Sequence, residues 1–167
     1  MKYAQAQKDA LALLVKHPKA VSNCICSVGK VGIIIDGVVG YVIPEDVNWI
    51  DLERVERVVN LRNLGLPLMS AENKLEPTEN LVDKGDTIVR EFRKAYPPAA
   101  APVYIQEKLL KNFEFPTFYQ DAERTKGIIA ITEMTQLEGE VLVGFVYPSI
   151  SIETNNFIEK EIKNYEH

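Results

Sequence analysis

The chain has 167 residues, 46% of them hydrophobic and 26% charged, with a formal charge of -5. That length suffices for one domain with a buried core and no disulfides or metals, and the composition excludes a disordered chain, which combines low hydrophobicity with high net charge. The negative total excludes a uniformly basic nucleic-acid coat and leaves room for a local basic face.

Residues 1–9 are polar and charged where a signal peptide needs an apolar stretch, so the expected location is cytoplasmic. Apolar residues Tyr3, Ala6, Ala10, Leu11 and Leu14 fall on one side of a helical wheel, with Gln5, Lys8 and Lys16 opposite, which predicts an amphipathic helix from Tyr3 to about Val15. Pro18 ends it. A strand is expected around Val21 to Val28, carrying Cys24 and Cys26 on one face. A lone C-x-C without a second cluster reads as free thiols in a reducing compartment. Val31–Ile35 and Val38–Ile43 follow as a hairpin about Asp36-Gly37, a dipeptide suited to a tight turn. The apolar run from Val31 to Pro44 contains Asp36 and glycines and is too short to cross a membrane as a helix.

Asp51 is placed to cap a short helix with Leu52, Val55, Val58 and Val59 inward. Residues 62–80, with Gly65, Pro67 and Pro77, read as irregular connection. Asp83-Lys84-Gly85-Asp86 turns the chain into a strand at Thr87–Phe92, and Tyr96–Pro102 is held extended by its prolines. The earlier order then returns: a helix around Gln106–Phe113, a strand near Thr117–Gln120, and a hairpin of Gly127–Ile131 and Val141–Tyr147 with a long turn from Glu133 to Glu140. Thr154 caps a tail helix bearing Phe157, Ile158, Ile162 and Tyr165.

One segment recurs. Val39-Gly40-Tyr41-Val42-Ile43-Pro44 reappears 104 residues later as Val143-Gly144-Phe145-Val146-Tyr147-Pro148. Chance recurrence in a β-rich chain is the competing explanation, and the shared order of helix, strand and hairpin upstream weighs against it. The expectation is an α+β fold of internally duplicated helix-plus-antiparallel-sheet units, about 1–60 and 103–150, joined by 61–102 and followed by a tail helix at 151–167.

Residues suited to catalysis are few. His17 and His167 read as solvent-facing, and Gly29-Lys30-Val31-Gly32 lacks the rest of a phosphate loop and leads into a strand. Glu133, Glu138 and Glu140 lack the spacing of a calcium loop and read as a solvated hairpin tip. Trp49, Phe113, Phe115, Phe118 and Tyr119 read as core rather than as base-stacking platforms. No catalytic residue, cofactor or metal site is expected, and the chain reads as non-enzymatic.

Charge placement says more. Lys2, Lys8, Lys16 and Lys19 against Asp9 leave residues 1–20 at +3, and Lys108 and Lys111 against Glu107 leave residues 104–113 at +1, within an acidic whole. Two basic helices suit a phosphate backbone, so Lys8, Lys16, Lys108 and Lys111 are the DNA-contact candidates. Lysines that merely solubilise helix faces are the alternative.

The segment Tyr104–Phe113, then Gly127–Ile131, then Val143–Pro148 resembles the sliding-clamp family of DNA polymerase processivity factors, whose domains pair two such units about a local twofold. The first half matches more loosely through Ala10–Val15, the Asp36-Gly37 hairpin and Pro44. The resemblance implies a clamp-like fold, partners among duplex DNA and replication proteins, and a homo-oligomer of about six copies for any closed ring. Family chains carry two or three such domains, and the helices expected at Asp51 and Thr154 are additions to the unit. A protein-interaction module with no nucleic-acid role is the alternative function.

Overall fold

A computed structural model describes residues 1–16, 23–27, 30–35, 39–47, 58–60, 64–97, 99–124 and 126–149. Among them one α-helix, α1 (Tyr3–Lys16), packs on a sheet of ten strands: β1 (Asn23–Ser27), β2 (Lys30–Ile35), β3 (Val39–Pro44), β4 (Val58–Asn60), β5 (Lys74–Asp83), β6 (Ile88–Lys94), β7 (Val103–Gln106), β8 (Thr117–Gln120), β9 (Ile129–Thr135) and β10 (Gly139–Val146). Their spatial order is β4-β1-β2-β3-β10-β9-β8-β5-β6-β7. Every neighbouring pair is antiparallel except β1 with β4, which is parallel. The mixed, mostly antiparallel architecture follows from short β-branched runs separated by turn residues.

The recurring segments meet at the centre of this sheet. Gly40 lies opposite Phe145, Tyr41 opposite Gly144 and Val39 opposite Val146. Exchanging each residue for its counterpart 104 positions away turns the first pair into the second, so the register maps onto itself. A Cβ on Gly40 would sit 2.1 Å from Phe145 Cζ, and one on Gly144 would sit 2.6 Å from the Gly40 carbonyl oxygen and 2.7 Å from Phe113 Cζ. Both glycines are therefore demanded by close approach across the seam. The likeness stops at the rings, since Phe145 covers Gly40 whereas Phe113, from outside the repeat, covers Gly144.

Ala6 and Ala10 let α1 approach the core closely, and Gln7 Nε2 donates to the Val47 carbonyl at 2.9 Å. Leu11, assigned to the apolar face on the wheel, is exposed instead: the buried stripe is centred on Ala6, Gln7 and Ala10. The core runs from α1 through β3 and β5 to β10, with Leu75, Phe92, Ile105, Ile129 and Ile131 almost fully enclosed. Phe92 and Phe118 stack edge-on, their centroids 4.8 Å apart.

Several expectations need correction. Within 62–80, residues 74 onward form β5, ten residues long, of which only Leu75 is buried. Its backbone ladders to β6 and β8 hold it, so no apolar alternation marks it, and Pro77 is tolerated because the register shifts between Pro77 and Leu81. Residues 61–102 are thus more than a joint, since β5 and β6 separate β8 from β7. The helix expected at Gln106–Phe113 is a 3-10 turn, Glu107–Leu110. Gln106 is committed to β7, while Asn112 and Phe113 are drawn into the core. Val58 and Val59 lie in β4, not in a helix.

The β9–β10 turn spans only 136–138, with Gly139 at φ 71, so Glu133 and Glu140 are strand residues. Tyr96–Pro102 is not extended throughout, because Ala100 N donates to Pro97 O. The turn into β6 is as expected: Lys84 N donates to Thr87 O, Gly85 N to Asp83 Oδ1, and Gly85 has φ 92. The Asp36-Gly37 turn, the 51–57 part of the Asp51 helix, the Thr154 tail helix, His17, Trp49, His167 and the Cys24 and Cys26 side chains lie outside the described residues.

Finally, Ser149 N donates to Tyr104 O at 2.8 Å. This bridge joins the chain just after β10 to β7, so β10-β9-β8-β5-β6-β7 curls back on itself.

Candidate functional site

The first residues of α1 and the turn at 107–112 lie side by side. Lys2 N donates to Asn112 O at 2.9 Å, and Asn112 Nδ2 reaches both Asp9 Oδ2 (2.9 Å) and the Tyr41 hydroxyl (3.2 Å). Lys111 Nζ stands 3.2 Å from Asp9 Oδ2, and Gln5 Nε2 donates to Asp9 Oδ1 at 2.9 Å. Burial raises the Asp9 carboxyl, but the hydrogen bonds from Asn112 and Gln5 and the Lys111 ammonium outweigh it and leave its pKa below the ordinary value. Tyr41 titrates above its ordinary value, mainly because it is buried.

Lys8 is exposed beside Asp9. Lys108 is on the 3-10 turn and Lys111 follows it directly, both exposed. Lys16 ends α1, and its side chain lies outside the described residues. Lys111 thus lies against Asp9 of α1, with Lys8 on the same helix and Lys108 on the adjoining turn.

A residue the charge count overlooked changes their balance. Arg90, on β6, grips Glu107 with two bonds, Nε to Oε2 at 2.8 Å and Nη2 to Oε1 at 2.7 Å, while Nη1 donates to the Thr78 carbonyl at 2.8 Å. The hydrogen bonds to Glu107 hold the Arg90 pKa above its ordinary value, despite opposing burial. Glu107 seemed in sequence to cancel one lysine of the turn. With Arg90 on that carboxylate, Glu107 no longer offsets Lys108, while Lys111 remains paired with Asp9. The signal was Arg90 itself, seventeen residues upstream, whose partner only the β6–β7 pairing reveals.

The three glutamates do not converge. Glu133 is opposite Val141 and Glu140 opposite Met134, so the two point to opposite faces of the β9–β10 pair. Glu133 is buried, contrary to the solvated tip expected of it, and accepts from the Met1 amino group and from Glu114 N. Glu140 accepts from the Tyr119 hydroxyl at 2.5 Å and from Thr132 Oγ1 at 2.6 Å. Those bonds lower the Glu140 pKa, while burial followed by the Glu140 bond pushes Tyr119 up to about 12. Among the described residues no group of three or more His, Cys, Asp or Glu side chains is arranged to hold a metal.

Lys94, on β6, was also overlooked. Its buried ammonium donates to the carbonyls of Asp121, Ala122 and Arg124 at 2.7, 3.0 and 3.3 Å, tying that loop to the sheet. Burial lowers its pKa. Of the aromatic set, Phe113, Phe118 and Tyr119 are buried as expected, whereas Phe115 is 98% exposed.

No family model matches this chain, and comparison with curated proteins and with solved structures gives no match. Among the described residues no helix is long and apolar enough to cross a membrane.

Proposed function

We propose that the chain is a non-enzymatic, clamp-like domain that contacts duplex DNA through its phosphates, with Lys8, Lys108 and Lys111 as the contacts and Lys16 extending the row. The arrest of Glu107 by Arg90 is the observation that carries this reading. It leaves Lys108 on the turn without that counter-charge, beside a helix that presents Lys8, while Lys111 shares its charge with Asp9. Contacts of this kind act by counterion release and read no bases. Arg90 is a positioning residue in this scheme, acting on the anion only through Glu107.

The self-mapping register of β3 with β10 supports a clamp-like local twofold, and α1 and the 107–110 turn begin 104 residues apart, as the repeat would have them. Docking on replication proteins belongs to the same reading. A ring of copies through the β7 edge would first have to displace the Ser149 bridge.

Binding of a short fluorescent duplex at low and moderate salt tests the proposal. Three phosphate contacts predict a log–log salt slope of about -3, the same affinity for unrelated sequences, and loss of binding on Lys8→Glu with Lys108→Glu. Absent binding, or binding indifferent to salt and to the double variant, overturns it.

A further inference from the structure

Phe115 is exposed over 98% of its surface and sits at φ 48, left-handed backbone that a bulky aromatic residue rarely adopts. Folding gains nothing from burying this ring, and the backbone beneath it is strained. The conformation persists because both flanks are pinned. On one side Phe113 is buried and Glu114 N donates to the buried Glu133 carboxylate at 2.5 Å; on the other, β8 begins at Thr117, opposite Thr132.

The register places further apolar side chains at the same end of the sheet. Running back from Thr117 along β8 corresponds to running forward along β9 from Thr132, toward Met134 and the turn at 136–138. Met134 is 75% exposed and Leu137, in that turn, 97%. Scattered exposed apolar residues need no explanation, but three large ones at one end, one of them on strained and pinned backbone, do.

Carboxylates outnumber cations at this end, where the Met1 ammonium pairs with Glu133 and Glu114. Glu133, Glu138 and Asp46 all act on the Tyr3 hydroxyl, whose pKa is raised by burial and then by those three carboxylates, and Glu114 lies beside Glu133. The sequence contains no lysine, arginine or histidine in 112–121 or in 127–150. Nucleic acid and anionic lipid would be repelled here. Residues 151–167 of the chain carry four glutamates against two lysines and do not complement it either.

The geometry points to a docking surface for a basic, apolar segment of a partner protein, with Phe115 as its anchor, Leu137 as a flanking contact, and Glu138 and Asp46 facing the partner's lysines or arginines. A rigid aromatic side chain held ready loses little freedom on binding, and such residues dominate interface energetics. This surface uses none of the lysines assigned to DNA, so either reading can fail without the other.

The test selects randomised short peptides displayed on phage against the immobilised full chain, then measures recovered peptides against wild type, Phe115→Ser and Glu138→Lys, with sedimentation of each protein alongside. Since Phe115 touches almost nothing, Phe115→Ser is expected to melt like wild type. The expected result is peptides with Lys or Arg around apolar residues, weakened at least about tenfold by Phe115→Ser, by Glu138→Lys and by added salt. Recovery of no peptide, recovery of acidic or neutral peptides, or binding unchanged in both variants overturns the proposal. So does sedimentation of the wild type as an oligomer that Phe115→Ser dissociates, which would assign the surface to a second copy of the chain.

Discussion

Two surfaces of this molecule meet at residues 111–114 and are built on opposite plans. Around Asp9 the surface is a closed polar network: Asn112, Gln5 and Lys111 converge on one carboxylate, and Arg90 removes another from play. Around Phe115 the polar groups lie underneath, where Glu133 fixes the loop backbone, and apolar side chains face water. Folding stability is invested in the first surface and withheld from the second. Substitutions should therefore cost stability on the Asp9 side and leave it almost unchanged on the Phe115 side.

The largest expected effect breaks both surfaces at once. Gly144→Val drives its side chain into the Gly40 carbonyl and the Phe113 ring, and Phe113 leads into the 111–115 segment that both surfaces share. Backbone cannot swing aside as a side chain can, so a loss near the upper end for overpacking, about 3 kcal/mol, is expected in chemical denaturation. An unchanged midpoint would show that the seam is looser than its distances imply.

Asn112→Ala comes next. It leaves the buried Tyr41 hydroxyl and the part-buried Asp9 each short of a partner, for a loss of about 1–3 kcal/mol, read from the same denaturation curves. Phe115→Asn is the counterpart across the boundary. Asparagine tolerates left-handed backbone and no buried contact is lost, so stability should change by less than about 1 kcal/mol. A large loss there would erase the contrast between the two surfaces.

Titration gives a further distinction. The Asp9 and Glu140 carboxyls titrate below their ordinary values of 3.8 and 4.5, so the unfolded chain takes up protons first. Their stabilisation is complete above those values and is lost as pH falls through the lower, folded ones. Tyr119 is shifted the other way, from 10.0 to about 12. Its stabilisation is intact below pH 10 and disappears as pH rises toward 12. Asp9→Asn should flatten part of the acid limb of a stability–pH curve, and Tyr119→Phe the alkaline limb.

The smallest expected effect concerns Arg90→Gln. Its pair with Glu107 is part-exposed, so stability should fall by no more than about 1 kcal/mol. Duplex affinity should nonetheless drop, because a freed Glu107 again cancels one lysine. A salt slope reduced by about one phosphate contact is the specific readout.

How legible this was differs by element. The amphipathic spacing of residues 3–15 and the runs at 23–27, 30–35, 39–44, 88–94 and 117–120 announce themselves, because each is a periodic or apolar run bounded by turn residues. β5 does not, since its backbone is paired while nine of its ten side chains escape full burial. The 107–110 turn misleads for a related reason: the helical spacing of Leu109, Leu110 and Phe113 is real, but β7 claims one end and the core the other. Lys8, Lys108 and Lys111 were visible as charges. Whether those charges stand depended on Arg90 and Asp9, which only folding brings to them.

Sequence alone therefore determined the first helix, most of the apolar strands, the turn at Asp83–Asp86, and the recurrence of V-G-aromatic-V-x-P, all of which rest on local periodicity and backbone preference. Tertiary structure decided that the two recurring strands lie against each other, that Glu133 is buried while Phe115 is not, and that Glu107 is taken by a distant arginine. Pairing partners and burial are relations between residues far apart in the chain, and no local pattern encodes them.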